Sequence, residues 1–482
     1  MKIPKFTFVA ALAAMLIAVP SCDKDSNTDD PSNVEPQDPP VVNPDPTDPQ
    51  NLSEIEKATL GKKVLVDELA DANTITWLKT AKFDAFAAKV AEFSNKAAVA
   101  IGIDGDDNIA VSPLSVFMAL AMSADCANGD TRQELLDALG VTIDDLRTMN
   151  MRSLCYLMNR TLEEPVYYND ASSTDPYSTS PDKAKNFIKC VNSLWVRGDV
   201  QVKEDELKEL NNAYFSDVMS MDFANTDVNE LVTSYISSET NGLLKPTFDL
   251  DENTAILLMN VLYLRDIWSG GNEYPLSDKK YDFVNYDKSK KSIKMLEGVY
   301  LYGRAIETET YRKFHTETNG GLDLTFFVPK DGHTLEEVYT EDVLNDKTTY
   351  YYTEVTMDPV HNYLFHTRCL FPEFVAKFDS KIQDAVKKMG VEKFFEPYVC
   401  DFSTLTDHGV YCKDIFHVTK LEVASKGIEG AAVTVVVASD NAVGEDKWEH
   451  VYEDFVVDRD FAYVLSREGV PIFTGVVKKI ED

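Results

Sequence analysis

The sequence predicts an α+β fold, on three observations. Of its 482 residues, 44% are hydrophobic, which is enough apolar material for a large core. Segments with helical and strand periodicity interleave without a regular βα alternation, which argues against a barrel or a doubly wound sheet. No internal repeat recurs along the chain, which likewise favours α+β.

In chain order, the first element is a targeting segment, 1–22. Lys2 and Lys5 supply a positive start, Phe8 to Val19 a short apolar run, and Val19-Pro20-Ser21-Cys22 a small-residue ending. The run falls short of the ~20 residues that a spanning helix needs. The Ser-Cys ending resembles a bacterial lipobox, which implies cleavage before Cys22 and a lipid on its sulfur. Residues 23–59 read as an acidic tether, with Pro31, Pro36, Pro39, Pro40, Pro44, Pro46 and Pro49 among many Asp and Asn.

The folded domain is expected over 60–482. Lys79 to Ala98 carries Phe, Val and Ala at helical spacing. Ser112-Pro113 opens a second helix, with Pro in the first turn where no N–H is needed. Leu114 to Ala124 is nearly all apolar, so this helix is expected to be buried on most sides. Thr131 to Leu139 makes a third, ended by Gly140. Glu163 to Lys185, rich in Tyr, Ser, Asp and Pro, reads as a loop insertion. Strands are expected at Cys190–Val196, Ala255–Leu264, Leu322–Val328 and Thr367–Phe374. Ala462–Ser466 and Ile472–Val477 form a closing pair around Arg467-Glu468-Gly469.

Charge and motif narrow the function. A net charge of -34 argues against nucleic acid, which needs clustered Lys and Arg. Seven scattered histidines give no HExxH, and neither a GxSxG elbow nor a GxxxxGK loop occurs. The enzyme reading, a surface hydrolase, therefore lacks a catalytic set. Cys126, Cys155, Cys190, Cys369, Cys400 and Cys412 contain no CxxC pair, so neither a cysteine metal cluster nor a redox motif is expected. Cys400 and Cys412 stand closest in sequence. No cofactor and no metal are expected.

One segment behaves differently. Ala431 to Ala438 is a run of small and β-branched residues, preceded by Gly427 and Gly430 and followed by the polar stretch Ser439 to Lys447. The ordinary reading is a central strand. Alternate residues Ile428, Gly430, Ala432, Thr434, Val436 and Ala438 are uncharged, and most are small. In a strand they share one face and could lie on a packed core without burying a charge. The glycines permit a hinge. The segment can live as a loop or as a strand.

Ordered motifs carry a family resemblance. Asn108 to Ser115 resembles the serpin signature NxxxSPxS, and Asn128-Gly129-Asp130-Thr131 the GxT that follows it. Asn192 to Val196 is similar to ANxLWV, Asn241-Gly242 to TNGxI, and Leu258 to Leu264 to LVNAxYF. Phe371 to Phe374 stands for LPKF, Asp401 to Ser403 for ADFSG without its glycine, and Phe455 to Phe461 for FxADHPF with Asp460 at the proline. The resemblance implies the serpin fold: three β-sheets, eight or nine helices and an exposed reactive-centre loop, here about 427–450. It implies a protease inhibitor that is cut as bait, acylates its target and inserts the cut loop into the main sheet. A non-inhibitory binding protein on the same fold is the alternative.

Carried over by position, the hinge GTEAAAAT reads Gly427, Ile428, Glu429, Gly430, Ala431, Ala432, Val433, Thr434. Ile428 replaces a small residue, and Ser425 stands where a structural Glu is common. Ser112, Ser115, Asn192 and His417 match the "shutter" that controls sheet opening. Counting forward from the hinge puts the reactive bond at Asn441-Ala442; counting back from Phe455 puts it at Lys447-Trp448. The forward count is preferred, because insertion places the cut at the far end of the hinge strand. The expected partners are a serine or cysteine protease and, through the lipid, a membrane of the bacterial envelope. The chain is expected to act as a monomer.

Overall fold

The computed structural model describes residues 49–480 except 61–71, 148, 160–186, 224–226, 241, 249, 269–272, 347–356, 359–362, 414 and 429–448. The targeting segment with Cys22, most of the tether, the insertion at 163–185, the hinge beyond Ile428 and both candidate reactive bonds lie outside the described residues.

The folded unit begins before Leu60. Pro49–Ala58 is a helix that packs on the helix Asp227–Glu239, with Ile55 buried, and Thr59–Leu60 pairs with Asp217–Met221. Ala81–Ile101 follows the periodicity read from the sequence. Thr80 caps it by accepting from the Phe83 N–H, and Phe83, Phe86, Val90, Phe93 and Ala97 fall on its buried stripe. Pro113–Cys126 has Ser112 as its N-cap and Pro in the first turn, and nearly every residue in it is buried. Gly129–Leu139 ends at Gly140, whose φ of 67° is the left-handed cap that glycine accepts.

Among the described residues the strands make four hydrogen-bonded sheets, and twelve stretches are α-helical. The expected three sheets and eight or nine helices are therefore corrected upward. Tyr281–Val284 and Lys290–Ile293 form a separate ribbon. Several helices are single short turns, such as Leu335–Val338 and Glu341–Leu344. The fold class, α+β, is as the sequence indicated.

Two sheets matter for function. One holds, in order, Thr59–Leu60, Asp217–Met221, Phe187–Arg197 and Ile256–Arg265. The other has nine strands. It starts at Gly427–Ile428 and Phe416–Ala424, continues through Phe374–Lys381 and Ile109–Val111, and passes to Val470–Val477 and Phe461–Arg467. A third sheet pairs Tyr363–Phe371 with Glu449–Val456 in parallel and with Leu296–Tyr302 antiparallel.

The run Thr367–Phe374 is corrected: it is two strands, not one. Tyr363–Phe371 and Phe374–Lys381 belong to different sheets and meet at Pro372-Glu373. Proline lacks the N–H a ladder requires, so the strand breaks there and the chain changes sheets. The closing hairpin turns on Glu468 and Gly469 alone, both at positive φ.

Candidate functional site

The two main sheets present edges to each other. Ile256–Arg265 pairs with Phe187–Arg197 on one side, and Phe416–Ala424 with Phe374–Lys381 on the other. Among the described residues no ladder joins the two facing edges. Two cavities lie along the gap. One, of about 50 Å³, is lined by Leu257 to Leu262 from one edge and Phe416 to Thr419 from the other, with Ser115 behind. The second, of about 30 Å³, lies between Ile256 to Leu258 and Tyr411, Cys412 and Ile415, over Ala119, Leu120 and Ser123 of the buried helix. At the first cavity, Phe248 packs edge-on against Phe416 at 5.7 Å.

The two sheets are bridged at the top of the gap by the hinge. Gly427 and Ile428 pair antiparallel with Ala424 and Val423. Ile428 also exchanges two backbone hydrogen bonds with Asp266, N–H to O at 2.9 Å and O to N–H at 3.2 Å. The Ile428 side chain is 0% exposed, so this bulky residue is already housed in the core. Gly427 has φ 134°, and a Cβ there would stand 2.1 Å from the Asp266 carbonyl oxygen. Only glycine fits between the two strands.

Ser425 apart, the surroundings of this bridge are built from residues the sequence reading did not single out. Trp268 is fully buried, donates its indole N–H to the Ala424 carbonyl at 2.8 Å and stacks on Tyr274 at 4.8 Å. The Ser425 carbonyl accepts from the Tyr274 N–H at 2.9 Å, and the Ser425 N–H donates to Glu373 Oε1 at 2.8 Å. A carboxylate-to-amide hydrogen bond thus occupies the place where the family resemblance implies a salt bridge from a glutamate at 425. The Asp266 carboxylate is 1% exposed and accepts from the Thr318 hydroxyl and the Gly320 N–H. Burial pushes its pKa up to about 7, against the lowering effect of those hydrogen bonds. Sequence offered no signal for Asp266, because its partners lie across the sheet and in a turn some fifty residues away.

Lower in the gap, three of the four residues expected to form a shutter meet. Ser112 N–H donates to His417 Nε2 at 3.0 Å, Ser112 Oγ lies 3.0 Å from Ser115 Oγ, and Ser112 Oγ–H donates to the Ile472 carbonyl at 2.9 Å. Burial alone pushes the His417 pKa down to about 4, so the ring is neutral at pH 7 and accepts on Nε2. Asn192 stands apart from this trio. Its Nδ2 donates to the Tyr214 carbonyl at 2.7 Å, and its Oδ1 accepts from Asn260 Nδ2 at 2.7 Å. Asn260 and His417 face the same cavity from opposite edges. Asn260 Oδ1 is buried and accepts no hydrogen bond among the described residues. Asn260 lies inside the LVNAxYF-like motif, which gave it no role by itself.

Of the remaining sequence-read positions, Glu449 and His450, at the end of the expected loop, already belong to the strand Glu449–Val456. All six cysteines described are free thiols, including Cys400 and Cys412.

Comparison with known proteins bears on this geometry. A family profile described as Serpin (serine protease inhibitor) matches residues 85–480. Mouse neuroserpin is 24% identical over 407 residues, spanning 79% of this chain and 88% of its own. The thermophilic serpin tengpin in its native state superposes with a TM-score of 0.63 at 19% identity, covering 87% of this chain and 96% of tengpin. Human thyroxine-binding globulin superposes with a TM-score of 0.63 at 18% identity, covering 83% and 100%.

Proposed function

The chain belongs to the serpin family, and from that premise we propose that it inhibits serine or cysteine endopeptidases as a suicide substrate. The protease cuts the loop and is held as an acyl-enzyme, while the freed hinge strand fills the gap between Ile256–Arg265 and Phe416–Ala424. The observation that carries this reading is the bridge at Ile428, where the hinge lies antiparallel to both edges at the mouth of the gap.

Register makes the reading specific. Val423 pairs with Ile428, and so does Asp266. Continued antiparallel, that register would bring Thr434 between His417 and Asn260 in the inserted state. The Thr434 hydroxyl could then donate to Asn260 Oδ1. The residues sharing the Ile428 face would be Gly430, Ala432, Thr434, Val436 and Ala438, none of them charged. An eleven-residue strand, 428–438, would span the whole facing edge from Asp266 to Ile256.

The alternative, a serpin-fold binding protein that does not inhibit, draws on thyroxine-binding globulin as a neighbour in fold and on the bulky Ile428. The burial of Ile428 weakens the second argument, since the side chain has a place in the core. Incubation with a panel of serine and cysteine proteases separates the two readings. An inhibitor gives a covalent complex that survives SDS, whereas clean cleavage without a complex selects the alternative. Mass measurement of the released C-terminal fragment is expected to find Ala442 at its start; Trp448 there would favour the backward count.

The same reading includes place. A lipid on Cys22 and the acidic stretch after it would hold the inhibitor on the bacterial outer membrane. Cys22→Ala is expected to move the protein from the membrane fraction to the soluble one.

A further inference from the structure

Away from the gap, the hairpin Tyr311–Glu317 and Leu322–Pro329 gathers a second chemistry. His315 and Glu317 are two residues apart on one strand and so share a face. Asp323 stands directly across from Glu317, which puts it on that face too. The three side chains each offer a ligand atom, and these atoms lie within 4.8 Å of one another. His315 is 0% exposed, and its Nδ1 lies 2.7 Å from Asp323 Oδ2.

We propose that His315, Glu317 and Asp323 form a binding site for a divalent transition-metal ion of the zinc class. Two carboxylates opposite each other in a ladder repel, and a cation between them removes that cost. The Asp323 carboxylate is held from behind. Thr325 Oγ1–H donates to its Oδ1 at 2.9 Å, leaving Oδ2 toward the imidazole. Outer hydrogen bonds of this kind orient metal-binding carboxylates. Lys313, two residues before His315 on the same face, is engaged by Asp346 at 3.2 Å and by its backbone carbonyl. One imidazole and two carboxylates suit zinc, with water completing four-coordination, better than calcium or magnesium, which take oxygen ligands alone and in greater number. Binding through Nδ1 leaves the His315 proton on Nε2 and replaces the His315–Asp323 hydrogen bond with two metal bonds. The turn that follows Glu317 is the one whose Thr318 and Gly320 hold Asp266, so the ion would brace a hairpin that reaches the hinge bridge.

The test is calorimetric titration of zinc chloride into the full chain after chelator treatment and desalting, with calcium chloride as the contrast. The expected result is one zinc per chain and a rise in melting temperature with zinc. Asp323→Asn and Glu317→Gln, both at partly exposed positions, are each expected to weaken zinc at least about tenfold and to lose the melting shift. Zinc bound equally well by both variants, calcium bound as tightly as zinc, or no stoichiometric zinc would each overturn the site. None of these readouts involves a protease, so the result is independent of whether the chain inhibits one.

Discussion

At Gly427 the backbone has φ 134°, and the Asp266 carbonyl lies where a side chain would begin. Gly427→Ala is expected to cost about 2 kcal/mol or more by forcing the strands apart. In an inhibition assay it should raise the number of inhibitor molecules consumed per protease trapped. His417 sets a pH dependence. Its folded pKa of about 4 lies below the ordinary 6.5. Its contribution to stability is therefore complete above pH 6.5 and is lost as the pH falls toward 4, by about 3 kcal/mol. Melting the intact protein across pH 4 to 8 tests this: the acid-side loss should shrink in His417→Gln, which cannot take up the proton. Residue roles of this kind were partly legible in the sequence. Ser112, Ser115 and His417 came from motif position, and the structure joins them. Asp266 lay in no motif, and Asn260 and Glu373 lay in motifs that gave them no role, because a polar residue does not announce its partner across a sheet.

At the scale of elements, the expectation of a hinge strand rests on a face uncharged from Ile428 to Ala438, a pattern of period two, and the structure describes only its start, Gly427–Ile428. The break at Pro372 was not read, although a proline inside a β-prone run is the signal for it. Apolar character alone carried the strand through to Phe374, while the change of sheet depends on contacts elsewhere. The alternation itself is testable. Ala432→Asp would bring a charge to the face that Ile428 shares with the core, whereas Val433→Asp would bring it to the opposite face. The inward variant is expected to become a substrate that is cut without trapping the protease, because an unpaired buried charge costs several kcal/mol. The outward variant should trap nearly as the parent does, and equal behaviour of the pair would contradict the register. The shift of the folded boundary to Pro49 has a similar origin: the proline and acid content of the tether masked the short amphipathic helix that buries Ile55.

For the whole molecule, two sheets face each other along one line, and Gly427–Ile428 bridges them at its mouth. On the proposed mechanism the intact form would be a kinetic state, whose lifetime would depend on how long the Ile428 bridge, the Ser112–Ser115–His417 cluster and the Phe248–Phe416 contact keep the edges as they are. The net charge of -34 fits a protein kept apart from its neighbours. Fold class and family were legible because they rest on many ordered motifs. Sheet count and helix count were less so, because short ribbons and single-turn helices are made by tertiary context. The central claim is that the cut loop becomes the missing strand, and thermal melting before and after a single loop cleavage tests it most directly. About ten new ladder hydrogen bonds on each edge should raise the melting temperature by at least about 10 °C. A cleaved sample that melts with the intact one, its 429–438 backbone exchanging freely with solvent, would contradict the account.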